Sequence, residues 1–203
     1  MPMLTASGHI YEPKCLAAGL LLDTVSLPDI AHSLAQTCRF IGHCKRHYSV
    51  AEHSLFVADI LMHQGLPPAA QLAGLLHDAH EAYCGDVATP IKEAIGPAWR
   101  QFEDGVEKAV HASLGISALM AKWKTIVHLA DTSALVTEIR GLFLSPADAE
   151  VRIRALGLEN VDPVDAQPIA AAPGVGLAQR FLEHYHALRQ EILERGRGPR
   201  QEA

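Results

Sequence analysis

Leu72, Leu75 and Leu76 recur at helical spacing and run directly into an imidazole and a carboxylate, His77 and Asp78, in the stretch GLLHDAHEAYCGD. A helix that buries those leucines carries the polar pair toward the interior with it. Burying a polar group without a partner costs about 2–7 kcal/mol, and an unpaired charge costs more. A divalent cation removes that penalty, because imidazole nitrogen and carboxylate oxygen both ligate Mn, Co, Zn or Fe. The fold must therefore bring further ligands to this helix from elsewhere in the chain.

The remaining periodicity is helical almost throughout. Residues 1–25 read as an irregular N-terminal arm with a small hairpin. Ser26 caps a first helix, SLPDIAHSLAQTCRF, with Ile30, Leu34 and Cys38 on its stripe. FIGHCKRHY is a loop, and VAEHSLFVADILMHQG is a second helix with Phe56, Val57, Ile60 and Leu61 in phase, closed by Gly65 and Pro67. A third helix is expected from about Pro68 to Cys84, then a loop, GDVATPIKEAIGP, punctuated by Pro90 and Pro97. A fourth helix, WRQFEDGVEKAVHASLG, aligns Trp99, Phe102, Val106 and Val110. A fifth runs from about Ala118 to Leu144 with Trp123, Val127, Ala130 and Ala134 on one side.

Ser145 and Pro146 open a short helix as N-cap and first helical residue. Residues 157–176 form a Pro/Gly/Ala-rich surface excursion. LAQRFLEHYHALRQEILERG closes the chain with Leu177, Phe181, Tyr185, Leu188 and Ile192 in phase, and the tail RGPRQEA frays. With no repeat and no period-2 strands, the expectation is an all-α, compact multi-helix bundle. It forms a single domain over 1–203, with the motif-bearing core at about 26–144.

Composition limits the function classes. At 203 residues, 49% apolar and 20% charged, the chain is a globular one with room for a sizeable core. A net charge of −6 argues against binding polymeric nucleic acid, while leaving a small anionic substrate open. Twelve histidines favour metal or acid–base chemistry. Cys15, Cys38, Cys44 and Cys84 form no CxxC pair, so a zinc knuckle is not expected. The first residues lack the pattern of a signal peptide, and no apolar run is long enough to span a membrane. A cytoplasmic protein with reduced thiols is the simple expectation.

Two more polar residues interrupt apolar stripes. His53 shares a face with Val57 and Ile60, and Asp131 lies in phase with Val127 and Leu135. Taken alone, His53 reads as readily as a core histidine, and Asp131 as an ion-pair residue. Together with His77 and Asp78 they make two imidazoles and two carboxylates from three helices, enough to hold one divalent cation with positions left for water and substrate.

The order His53, His77-Asp78, Asp131 resembles the H…HD…D signature of the HD-domain metal-dependent phosphohydrolases. YSVAEHSLFVADIL, HDAHEAYCGDVATPIK and HLADTSALVTE are similar to three helices of the bacterial 5′-deoxynucleotidase branch, itself similar to phage-type deoxynucleoside triphosphatases. The resemblance covers roughly residues 26–140. It implies one divalent ion (Co, Mn, Zn, Fe or Mg), a small nucleotide substrate and a homodimer. The closing helix could serve that pairing or pack on its own domain.

Glu81 follows His77 by four residues, and the resemblance gives it the proton-handling role beside water acidified by the cation. It likewise brings Asp86 to the active site. Arg39 offers a planar guanidinium for phosphate, followed by Phe40 where the deoxynucleotidases carry a Trp. His43, Lys45, Arg46 and His47 form a basic loop, of which Arg46 and His47 are candidate substrate contacts, as is Lys92. His80 reads as solvent-facing, with extension of the site to a second metal as the other reading. No Cys or Ser nucleophile with a neighbouring base is evident, and no G-x-x-x-x-G-K-[ST] loop is present. The expected activity is release of phosphate from deoxynucleoside 5′-monophosphates. The alternatives are a deoxynucleoside triphosphate triphosphohydrolase and a non-catalytic nucleotide-binding module.

Overall fold

Three helices carry their start signals in the sequence. Ser26 accepts a hydrogen bond from the Asp29 backbone N–H, and Ser145 one from that of Asp148. Ser49 accepts from the Glu52 N–H while the Glu52 carboxylate accepts from the Ser49 N–H, a complete capping box. The computed structural model describes residues 1–143, 145–165 and 175–196, the side chain of Val175 excepted.

The architecture is all-α. A two-residue hairpin, β1 (Met3–Leu4) and β2 (Ile10–Tyr11), precedes α1 (Pro13–Ala17) and α2 (Leu27–Gln36). After a tight turn at Arg39–Gly42 come α3 (Val50–His63), α4 (Pro68–Leu76), α5 (Glu81–Cys84) and α6 (Thr89–Ile95). The chain continues through α7 (Pro97–Ser113), α8 (Ser117–Leu142), α9 (Pro146–Ala155) and α10 (Val175–Gly196). None of the helices among the described residues is long and apolar enough to cross a membrane.

α3, α4 and α8 pack on one another, and α10 lies over α2 and α4. Phe56, Val57, Ile60 and Leu61 of α3 meet Ala73 of α4 and Val127, Ala130 and Ala134 of α8 in one apolar cluster. α10 buries Leu177, Phe181 and Leu188 against its own domain. Gly74 lets α4 approach α3 closely: a Cβ there would stand 2.5 Å from the Leu61 side chain and 3.6 Å from the Ala58 Cα.

Four expectations need correction. The helix read as continuous from Pro68 to Cys84 breaks at 77–80, where the chain tightens to i→i+3 bonding: Ala79 N–H to the Leu76 carbonyl at 3.0 Å and Glu81 N–H to the Asp78 carbonyl at 3.0 Å. The segment read as a loop after Gly85 contains α6, since Pro90 sits in the first turn, where a missing N–H costs nothing. The N-terminal arm holds a short helix, α1, besides its hairpin. Cys38 lies beyond the end of α2 and pairs as an isolated bridge with Ser49. Leu144, residues 166–174 of the expected excursion and the tail from 197 onward lie outside the described residues.

Candidate metal centre

His53 is wholly buried on α3, and its two ring nitrogens face two carboxylates of α8. Nε2 stands 3.0 Å from Asp131 Oδ1 and Nδ1 stands 2.6 Å from Glu138 Oε1. Asp131 and Glu138 are seven residues apart, two turns of one helix, so both side chains project toward the same neighbour. His77 follows the last residue of α4, its Nδ1 2.7 Å from the Gly74 carbonyl. Its Nε2 is 3.1 Å from Asp78 Oδ2 and 3.3 Å from His53 Nε2. Asp78 Oδ2 lies 3.6 Å from His53 Nε2, and Asp131 Oδ1 lies 3.8 Å from His77 Nε2.

The partners of the two Nδ1 atoms decide what this cluster can be. A carboxylate and a carbonyl only accept, so each Nδ1 must donate. Each neutral ring then turns its Nε2 lone pair toward the other and toward two carboxylates. Four acceptors facing one another at these distances repel. Only protons on both rings or a cation between them resolves the arrangement.

The metric suits a cation. Ligands about 2.1 Å from a single ion stand about 3.0 Å apart at a right angle and about 3.4 Å apart at the tetrahedral angle. The 3.0, 3.1 and 3.3 Å separations fall in that range. His53, His77 and Asp131 thus form a group that could hold a metal ion, with Asp78 beside them. Nδ1-bound Glu138 and Gly74 supply the outer contacts that orient metal-bound imidazoles.

Proton affinities are set by the same contacts. Burial and Arg39 oppose protonation of His53, but Glu138 and Asp131 outweigh them and its pKa is raised. Burial opposes protonation of His77 too, and Asp78 and Asp131 push it well above the usual imidazole value. Burial would raise Asp131 and Asp78, yet the two imidazoles hold both carboxyls below their ordinary range. Glu138, despite complete burial, is lowered by His53 and Arg39.

Glu81 behaves oppositely. Burial, then the Asp78 and Asp86 charges, raise its pKa well above the ordinary value, and its buried Oε2 has no hydrogen-bond partner among the described residues. The tight turn aligns Glu81 with Asp78, three residues back, rather than with His77 as an unbroken α-helix would. Asp86 is raised as well, by burial and then by Asp78, against the pull of Arg39.

The cluster lies between two cavities. One of about 580 Å³ is lined by His77, Asp78, Asp131, His80 and Glu81 and rimmed by Lys108, Lys124 and His128. The other, about 210 Å³, has Arg39, Phe40, Asp86, Thr89, Lys92 and Arg152 on its wall together with Asp78, Glu81 and Asp131.

Arg39 gives Nη2 to Glu138 at 3.2 Å and has Nη1 3.7 Å from Asp78; its buried Nε has no hydrogen-bond partner among the described residues. It therefore braces the carboxylates rather than standing as an open phosphate clamp. Phe40 and the following Ile41 adopt left-handed backbone (φ 57° and 55°), a conformation a β-branched residue rarely takes. That turn sets Phe40 edge-on to Phe143 at 5.4 Å and against the smaller cavity.

The basic loop does not gather at the centre. Arg46 bonds Glu52 at 2.7 Å and the His47 carbonyl at 2.7 Å, Lys45 caps the C-terminal carbonyls of α8, and His47 is exposed; none lines either cavity. Lys92 lines both cavities but is paired with Glu103 at 2.6 Å. His80, expected to face solvent, is buried. Sequence reasoning missed Glu138, which its seven-residue spacing from Asp131 could have revealed, and the Glu103–His111 face of α7, whose period was read only for its apolar side.

No family model matches the sequence. The chain is 31% identical over 185 residues to the uncharacterized protein YfdR of Escherichia coli, covering 91% of this chain and 93% of the relative. It is 33% identical over 174 residues to the uncharacterized protein RCAP_rcc00048 of Rhodobacter capsulatus, covering 83% of this chain and 87% of the relative.

Proposed function

We propose that this chain, which belongs to the family of the Escherichia coli protein YfdR, is a divalent-metal-dependent phosphohydrolase releasing phosphate from deoxynucleoside 5′-monophosphates. One observation carries the metal half of the reading. Both imidazoles are pinned through Nδ1, so that two Nε2 lone pairs and two carboxylates converge on one point. The phosphoester half rests on what surrounds that point and on the motif resemblance.

His53, His77, Asp78 and Asp131 would hold the cation, which when bound acidifies water and draws charge from a phosphoryl oxygen. Glu81 is buried, with its pKa raised and Oε2 unpartnered among the described residues. In its ionised form it would be a stronger base than an ordinary carboxylate for the proton of the attacking water, and in its protonated form the donor to the leaving 5′-oxygen. Arg39 keeps Glu138 and Asp78 in register and offsets charge beside the smaller cavity, where Asp86 also stands. The larger cavity, at about 580 Å³, has the size of a small-molecule site and could take the nucleoside.

A second reading has its own support. Lys108, Lys124 and His128 on the rim of the larger cavity suit a longer phosphate chain, which favours a triphosphate substrate. The test is a panel of nucleoside mono- and triphosphates assayed with Mn, Co, Zn and Mg in turn, scoring phosphate against triphosphate. Phosphate from dAMP-type substrates, abolished by Asp131→Asn, is the expected result; triphosphate from dATP selects the second reading. Absence of turnover of every nucleotide with every cation, with binding retained, would replace both with a binding module.

A further inference from the structure

Beyond the centre built on His53 lies a second group of ligand-type side chains that the proposed reaction does not use. His80, Cys84 and Glu103 each bring one ligand atom within 4.8 Å of the other two. His80 and Cys84 are four residues apart at the end of the tight turn and along α5, so they project from one side. Glu103 reaches them from α7.

Two buried imidazoles point to a missing partner. His80 is 8% exposed and its Nδ1 has no hydrogen-bond partner among the described residues. His111, two turns beyond Glu103 on α7, is 7% exposed and its Nε2 is likewise unpartnered. His111 lies close enough to His80 for the two charges to oppose each other. Both rings line the larger cavity, as do Glu103 and the Glu107 between it and His111.

An ion pair alone does not account for the group. Lys92 neutralises Glu103 through Oε1 at 2.6 Å, but a carboxylate can hold a lysine on one oxygen and ligate through the other. The Cys84 thiol reaches only nearby backbone carbonyls among the described residues, His80 at 3.4 Å and Gly85 at 3.8 Å. Neither contact satisfies the imidazoles.

We propose that His80, Cys84 and Glu103 form a second divalent-cation site, selective for a thiophilic ion of the Zn²⁺ class, with His80 and Glu103 on the wall of the larger cavity. A nitrogen, a sulfur and an oxygen from the protein make a three-ligand set of the kind that leaves a coordination position open, and His111 lines the same cavity as His80 and Glu103. The sulfur distinguishes the two sites. The His53 centre offers only nitrogen and oxygen and accepts Mn²⁺ or Fe²⁺, whereas a thiolate ligand favours Zn²⁺ or Co²⁺ over both. The site stands whether or not the chain hydrolyses nucleotides.

The experiment uses the full chain, stripped with chelator and reloaded with Co²⁺ or Zn²⁺, reading metal content per chain and the near-ultraviolet thiolate-to-cobalt charge-transfer band. Wild type is expected to take up two equivalents and show the band. Cys84→Ser should remove one equivalent and the band. Asp131→Asn should remove the other equivalent and leave the band intact. His80→Gln should lose the same equivalent as Cys84→Ser, and so keeps the test decisive if the serine variant melts. Wild type that shows no band overturns the proposal, and so does a band that survives Cys84→Ser, since the thiolate would then belong to Cys15, Cys38 or Cys44. A single equivalent whose band Cys84→Ser removes would leave this site standing and instead overturn the reading of the His53 centre.

Discussion

Replacing Glu138 by Gln tests whether His53 is a ligand or merely a buried histidine. Glu138 is fully buried and receives three donors: His53 Nδ1 at 2.6 Å and Tyr48 Oη at 2.8 Å on Oε1, and Arg39 Nη2 at 3.2 Å on Oε2. A carboxamide has one accepting oxygen. If that oxygen stays with His53 and Tyr48, its NH₂ faces the Arg39 donors. If it turns to Arg39, its NH₂ faces His53 Nδ1 and forces that nitrogen to accept, which moves the ring proton to Nε2, the atom that would ligate.

Loss of such an outer partner weakens metal binding about 10–100-fold, equal to about 1.4–2.7 kcal/mol. Breaking the buried charge network should in addition destabilise the metal-free protein by about 3–5 kcal/mol. Titration of Mn²⁺ against a competing chelator reads the first effect and urea denaturation the second. Tyr48→Phe, which removes one bond to Glu138 and leaves the His53 tautomer alone, should cost affinity less than tenfold. If Glu138→Gln loses stability but binds Mn²⁺ like wild type, His53 does not ligate through Nε2.

Glu81→Gln should cut phosphate release by about 10²–10⁴-fold while Mn²⁺ content of the His53 centre is retained; loss of metal instead would make Glu81 a ligand. Gly105→Ala would place a Cβ 2.3 Å from the Ala17 carbonyl oxygen, a backbone atom that cannot swing away, and should destabilise by about 1–3 kcal/mol in urea denaturation. Gly74→Ala meets the mobile end of Leu61 first and should cost less than Gly105→Ala; the reverse order would show that α1 yields more readily than the α3–α4 crossing.

In metal-free protein, the raised pKa values of His53 and His77 give stability that is complete below about pH 6.5 and lost as pH rises through the folded values. The lowered values of Asp78 and Asp131 give stability that is present above about pH 3.9 and lost as pH falls through theirs. Calorimetry should therefore show Tm falling above about pH 6.5 without metal, and the rise in Tm on adding Mn²⁺ growing over the same interval. A metal-induced rise independent of pH would contradict it.

Much of the helical frame was legible because its signals are local. Ser26, Ser49 and Ser145 cap helices through their own next three residues, and the stripes of Val57, Ile60, Val127 and Ala134 follow a 3.6-residue period. The break at His77–His80 was not legible, because no Gly or Pro marks it and every residue there tolerates helix. Pro90 misled in the other direction, since a proline that starts α6 looks the same as one that ends a loop. The roles of Arg46 and Lys45 depend on partners distant in sequence or in a capping box, the end of α8 and Glu52, which a cluster of positive charges does not disclose. Glu138 and Glu103 were hidden for a related reason: each lies on a helix face whose importance is set by what packs opposite.

The charge at the His53 centre explains why these residues sit together. Asp78, Asp131 and Glu138 are all held ionised by their neighbours, and Arg39 contributes one positive charge. Glu81, pushed toward its neutral form, adds none. Three carboxylates against one guanidinium leave a charge of −2 among groups largely withdrawn from water, Asp131 being the most exposed at 32%, and charge gathered this closely is stabilised by compensation. Two protons, one on each imidazole, cancel it. So does one divalent cation with both imidazoles neutral. A monovalent ion would leave the deficit half met, and a trivalent ion would overshoot. Protons and a divalent metal are thus alternative occupants of one electrostatic hole, and the pinned Nδ1 atoms ensure that both compete for the same two nitrogens.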